Sequence, residues 1–324
     1  MCPMRRITRR SFLRKGSALA GAGGAAVALG LCTQCGKRTS EEEIRLKPLK
    51  ENDLSRDIVV ARGEDPAGIT KAALAALGGL GKLVSPGDIV VVKPNISWDN
   101  LPKYAATTNP DVVRTVVELA VEAGAAEVHV FDHTLNEARL TYKRSGIAEA
   151  AEQAGARVSY VRGQNDPRFR EMAIPAGVVM TSWPIHGMLT RADVLINVPI
   201  AKDHSLTRLT LGIKNLMGLA GGERGTWHPD IAQRLADFSS AVKVDLTVMD
   251  AYRILVDHGP TGGSLDDVRE THTVIAGTDP VAVDSCTTTL FDMKGEDIGY
   301  IRAAHDRGLG ELDLARISVR EVTV

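Results

Sequence analysis

Cysteine is almost missing from this chain. Of four in 324 residues, Cys2, Cys32 and Cys35 lie within the first 40, leaving Cys286 alone in the remainder. One thiol closes no disulfide, so any metal falls to His, Asp, Glu or an external ligand, and no cysteine-ligated iron–sulfur cluster is expected of the mature domain. Aromatic residues make up only 4%. That is too few for a base-stacking surface, whereas abundant Ala, Val and Gly suit close helix-on-sheet packing, so nucleic acid is not an expected partner. No segment approaches the ~20 strongly apolar residues of a membrane span, and none is expected in the mature protein. Also absent are H-E-x-x-H, G-x-S-x-G, a Walker G-K-[ST] and a G-x-G-x-x-G after a strand, which removes the signatures of zincins, elbow hydrolases and nucleotide-binding loops.

What is present begins with "TRRSFLRKGSALAGAGGAAVALGLC". Paired Arg9 and Arg10, then Phe12 and Leu13, then a weakly apolar Gly/Ala stretch without acids read as a twin-arginine export signal over residues 1–40. Cys32-x-x-Cys35 has the spacing of a redox or lipid-anchor motif, but no βαβ pattern surrounds it and Leu31 is too large for a good lipobox. Both cysteines are therefore read as leader residues. The expected partner is the twin-arginine (Tat) export machinery, and the expected location is the periplasm or the outer face of the cytoplasmic membrane. A polar linker, 41–56, then leads to an α/β domain, 57–324. The leader holds eight of the 39 Lys+Arg and none of the 40 Asp+Glu, so the remainder carries 31 against 40, about −9. An anion site in such a domain must be local.

Beyond the linker, apolar strand-like runs alternate with helix-like ones. "GDIVVVKPN", "NPDVVRTVVELAVEAGA", "EVHVFD", "GIAEAAEQAGA" and "RVSYV" form one series, and "ADVLINVPI", "IAQRLADFSSA", "VDLTVMD", "THTVIAG" and "DPVAVDSCTTTLF" begin a second. Such alternation implies an α/β fold with a mostly parallel sheet. The two series, 57–165 and 190–324, match loosely and are read as possible related halves sharing a crevice. Asn109 before Pro110, and Asp279 before Pro280, read as helix N-caps.

Ligands of open parallel sheets bind beyond the carboxyl ends of the strands. Lys93, Asn95, Asp132, His133, Lys202, His204 and Asp250 fall there. Lys202, His204 and Lys214 interrupt apolar runs, at a cost of several kcal/mol unless an anion, a metal-site neighbour or solvent meets them. In "GIKNLMGLAGGERGTWHPD" a glycine-rich loop follows Lys214 and Asn215, and Arg224 and His228 are candidates to complete an anion-binding surface. The alternative for His228 is a buried structural histidine bonded to backbone. Asp132, Asp250 and Asp284 are the candidate ligands of a divalent metal.

The stretches "VVVKPNIS", "TTNPDVV", "ADVLINVPIAKDHSLTRLTLGIKNLMG", "WHPDI", "LTVMDAY", "GPTGG" and "AGTDPVAVDS" resemble the domain-of-unknown-function 362 family over most of residues 57–315. The resemblance implies its lysines, Asn95, His204, Asn215, His228 and Asp284 as site residues. Some relatives join ferredoxin-like cluster modules, which implies redox work, but the cysteines of such a module are missing here.

The leading expectation is an exported enzyme. Lys202, His204, Lys214 and His228 would be catalytic, and Lys93, Asn95, Asn215 and Arg224 would bind an anionic small molecule. A non-catalytic periplasmic ligand- or cofactor-binding or assembly factor is the alternative, and a redox accessory protein the second. Lys93, Lys202, Lys214, His204 and His228 are expected at one crevice.

Overall fold

Residues 46–324 are described by the computed structural model; the export signal expected over 1–40 and the Cys32/Cys35 pair lie outside them. Twelve strands are present among the described residues: β1 (Ile58–Arg62), β2 (Ile89–Pro94), β3 (Glu127–Val130), β4 (Arg157–Val158), β5 (Phe169–Ala173), β6 (Ser182–His186), β7 (Val194–Val198), β8 (Ile200–His204), β9 (Arg208–Thr210), β10 (Leu246–Leu255), β11 (Val268–Gly277) and β12 (Val319–Thr323). The α-helices are α1 (Pro66–Ala76), α2 (Pro110–Glu122), α3 (Ala138–Arg144), α4 (Ile147–Gln153), α5 (Gly212–Asn215), α6 (Ile231–Ala241), α7 (Pro280–Thr288) and α8 (Gly299–Asp306).

The main sheet runs β12-β1-β11-β10-β7-β2-β3-β4, and β5 and β6 form a separate hairpin. The pairings β10–β7, β7–β2, β2–β3 and β3–β4 are parallel. β11 is antiparallel to both its neighbours. The fold is thus mixed α/β with a mostly parallel sheet flanked by helices. Strands of both expected halves join one sheet, because β1 from the first pairs with β11 and β12 of the second.

Strand alternation divides the core. Val90 and Val92 of β2 pack on one side with Val113 and Val117 of α2 and Ala151 of α4. Val91 points to the other side, with Leu235 of α6, Val283 of α7 and Ile301 of α8. Each such fully buried aliphatic side chain contributes roughly 1.5–3 kcal/mol. The caps follow the sequence: the Asn109 side chain accepts from the Asp111 N–H at 3.0 Å. The Asp279 carboxylate accepts from the Val281 and Ala282 N–H groups at 2.9 Å and from Glu311 N–H at 2.8 Å, so the start of α7 is closed by its own acid.

Strand order also locates a crevice. From β2 the chain moves one way, to β3 and β4, then returns to place β7 and β10 on the other side of β2. Neighbouring loops therefore leave β2 and β7 in opposite directions, and their carboxyl ends are the point where open α/β sheets hold ligands.

Candidate functional site

Lys93, the residue before the last of β2, pairs with Asn197 of β7 at that point. Its fully buried ammonium donates to Pro94 O at 2.7 Å and Asn215 Oδ1 at 3.0 Å, and pairs with Asp132 Oδ1 at 2.9 Å. Three acceptors use all three ammonium protons. Burial lowers the Lys93 pKa, with Asp132 working against the shift.

Asn215 ties the strand ends together. Its amide donates to Lys93 O at 3.2 Å and Asn197 Oδ1 at 2.8 Å, while its oxygen accepts from Lys93 and from Asn95 Nδ2 at 3.0 Å. Lys93 and Asn215, expected to bind ligand, hydrogen-bond to each other in this internal network, and Asn95 joins them, its oxygen accepting from Lys202 Nζ at 3.2 Å. Gly218 makes the close approach possible: a Cβ there would sit 1.7 Å from Asp132 Oδ1 and 2.6 Å from Lys93 Nζ.

Around this network lies a second set of cations. Pro199, lacking an N–H, separates β7 from β8, and β8 carries Lys202 opposite Thr210 of β9. Buried Lys202 donates to Asn95 Oδ1 and to Ala106 O at 2.5 Å, and it meets no carboxylate among the described residues. Burial pushes its pKa well below the ordinary lysine value, and the positive charges of Lys214 and Lys93 add to the shift. The buried hydroxyls of Thr107 and Thr210, one beside Ala106 and one across from Lys202, have no hydrogen-bond partner among the described residues.

Lys214 rides on α5, a single turn whose start is fixed by Asp284: Gly212 N–H and Ile213 N–H donate to the two carboxylate oxygens at 2.7 and 2.9 Å. Burial first, then Arg224, pushes Lys214 down to about 8. His204, at the end of β8, accepts at Nδ1 from the Leu206 N–H at 3.1 Å. The neutral ring therefore carries its proton on Nε2. Burial, then Lys214, Lys202 and His228, pushes its pKa down to about 3. At neutral pH His204 is therefore a hydrogen-bond donor, and Lys214 is nearer to proton-exchange range. His228 is exposed at the rim, not buried on backbone. Arg224 donates to Met217 O at 3.2 Å and sits close enough to Lys93, Lys214 and Asp132 to perturb or be perturbed by each.

The three acids proposed as candidate metal ligands each stand in a separate place. Asp132 pairs with Lys93 and accepts from Ile96 N–H at 2.6 Å. Asp250 accepts from Asn109 N–H at 2.7 Å and Tyr252 N–H at 3.1 Å, and burial raises it to about 6. Asp284 holds α5, and burial raises it to about 7. Their oxygens are occupied by N–H groups and an ammonium. Among the described residues, the set with three ligand atoms within 4.8 Å of one another is Asp257, His258 and Asp267, on the largely exposed β10–β11 connection.

Asn197 escaped the sequence reading, although an amide inside the apolar run "VLINV" was a visible signal. Thr107 and Thr210 escaped it too, because isolated threonines in strands and turns carry none.

Among curated proteins, the chain is similar to "Thylakoid-associated protein sll1697" of Synechocystis sp., 27% identical over 251 residues that cover 74% of each chain. Among solved structures, it is similar to the lactate racemase apoprotein from Thermoanaerobacterium thermosaccharolyticum, with a TM-score of 0.43 and 13% identity, covering 73% of this chain and 58% of that one. The family described as "Domain of unknown function (DUF362)" matches residues 90–289. That span holds every candidate residue from Lys93 to Asp284, and the chain belongs to this family.

Proposed function

We propose that the protein binds an anionic small molecule, a phosphate or carboxylate, at the crevice between the ends of β2 and β7, and exchanges protons with it through Lys214. One observation carries this reading: four cations, Lys93, Lys202, Lys214 and Arg224, lie within electrostatic reach of one another, and the carboxylate among them, Asp132, is ion-paired with Lys93 and leaves Lys202 and Lys214 without one. Removing cations from water is costly, and like charges brought together add to the cost. An anion between Lys202, Lys214 and the His204 Nε2–H relieves both. Lys214 stabilises negative charge when protonated and accepts a proton when not, so the site suits isomerisation, elimination or hydrolysis of an acidic substrate. We further read residues 1–40 as the export signal of this domain.

The test is thermal unfolding with added inorganic phosphate. At a hundred times its Kd, phosphate is expected to stabilise the protein by about 2.7 kcal/mol. Lys214→Ala is expected to remove that gain while leaving the ligand-free melting temperature equal or higher, since it also removes repulsion. Identical responses of wild type and variant would exclude the anion site.

A further inference from the structure

Beside the lysine cluster lies a cleft of about 1130 Å³ beyond the carboxyl ends of β3 and β4. Its size exceeds what one phosphate or a small carboxylate fills, since drug-sized ligands occupy sites of ~300–1,000 Å³. The charges along its wall are unevenly matched. Arg168 is closed by Asp166, with Nε to Oδ1 at 2.8 Å and Nη2 to Oδ2 at 2.7 Å. Glu137 is consumed as the cap of α3, accepting from Arg139 and Leu140 N–H groups at 3.1 and 2.9 Å. Arg139, Arg162 and Arg224 also line the cleft, with Glu223 as the remaining carboxylate on its wall. None of these three arginines has a carboxylate within ion-pair distance among the described residues.

Arg224 belongs to both places. It lines the cleft and lies within electrostatic reach of Lys214 and Lys93. His133 walls the cleft, and its own N–H donates to Gly218 O at 2.9 Å, so only the Gly218 turn separates it from the Lys93–Asp132 pair. The guanidinium fork matches the oxygens of phosphate and carboxylate groups.

We infer that the ligand is an elongated polyanion: one acidic group meets Lys202 and Lys214, and the remainder extends past Arg224 into the cleft, where Arg139 and Arg162 take a second acidic group. This rests on the anion-site reading above and adds the substrate class to it. A small monoacid fills only the inner part.

Calorimetric titration of the full chain with orthophosphate and with linear tripolyphosphate separates the two ideas. Wild type is expected to bind tripolyphosphate at least tenfold more tightly than orthophosphate. The Arg139→Ala/Arg162→Ala double variant changes two exposed side chains and is expected to bring tripolyphosphate to within about threefold of orthophosphate, with orthophosphate affinity itself unchanged. A tripolyphosphate preference that survives the double variant, or no preference in wild type, overturns the cleft proposal. Orthophosphate binding that ignores Lys214→Ala overturns the anion site instead, whatever the arginine variant does.

Discussion

Lys214 is the side chain on which the chemistry turns, because burial and the nearby Arg224 push its pKa down to about 8, toward neutrality from the ordinary lysine value. Its folded-state value is depressed, so the cost of its charge is fully present below about 8 and is relieved as pH rises from there toward the ordinary lysine range. An anion favours the charged form, and the linkage therefore runs the other way for binding: affinity is greatest below about 8 and declines above it. Sulfate, which does not titrate in this range, is expected to lose up to tenfold in affinity per pH unit above about 8, one proton being coupled to one ligand. Lys214→Arg keeps the charge at that position throughout and is expected to remove the break near 8. A wild-type profile that lacks the break as the arginine variant does would show that another group governs binding. His204 contributes no break near its ordinary value, because burial and then its cationic neighbours push its pKa down to about 3.

At the level of elements, α5 has four residues and no cap of its own, so its placement depends on Asp284 of α7. The contact is tight, since a Cβ at Gly212 would sit 2.7 Å from Asp284 Oδ1. Asp284→Ala strands two buried N–H groups and is expected to destabilise the protein by about 3 kcal/mol, read as a lower urea midpoint at constant slope. Burial raises Asp284 from 3.8 to about 7. A raised acid binds more protons folded than unfolded, so its contribution to stability falls as pH climbs from about 4 to 7, and Asp284→Asn is expected to flatten that part of the curve. This link was half legible. Asp284 stood out in sequence as a carboxylate one turn into an apolar helix, but its partners are backbone groups 71 and 72 residues away, which periodicity does not reveal. Long strands and capped helices such as β2, β7, α2 and α7 were readable because period and cap chemistry agree there. The break at Pro199, the antiparallel β11 and the β5–β6 hairpin were not, because pairing partners and direction are set by tertiary contacts.

On the scale of the whole molecule, the site was legible as a set of strand ends and illegible as a division of labour. Lys93, Lys202 and Lys214 are alike in sequence, all cations near apolar runs, and only the count of acceptors separates the saturated Lys93 from Lys202 and Lys214. The same separation of charge recurs along the chain. Residues 1–40 hold eight Lys+Arg and no Asp+Glu, while the remainder holds 31 against 40. Positive charge at the front with net negative charge behind is the pattern on which the proposed export address rests, and no described helix is long and apolar enough to cross a membrane. If Arg9 and Arg10 are the address, the pair must act as guanidinium groups rather than as bare positive charge, since arginine's planar fork of donors is not reproduced by an ammonium. Changing both to lysine preserves the leader's charge and apolar stretch, and is expected to leave the protein inside the cytoplasmic membrane while wild type is recovered outside it by cell fractionation. Because the substitutions lie before residue 46, the purified variant should retain the phosphate-dependent stabilisation of the wild type. Export of the double variant at the wild-type level would mean that the segment is read by its charge and hydropathy alone.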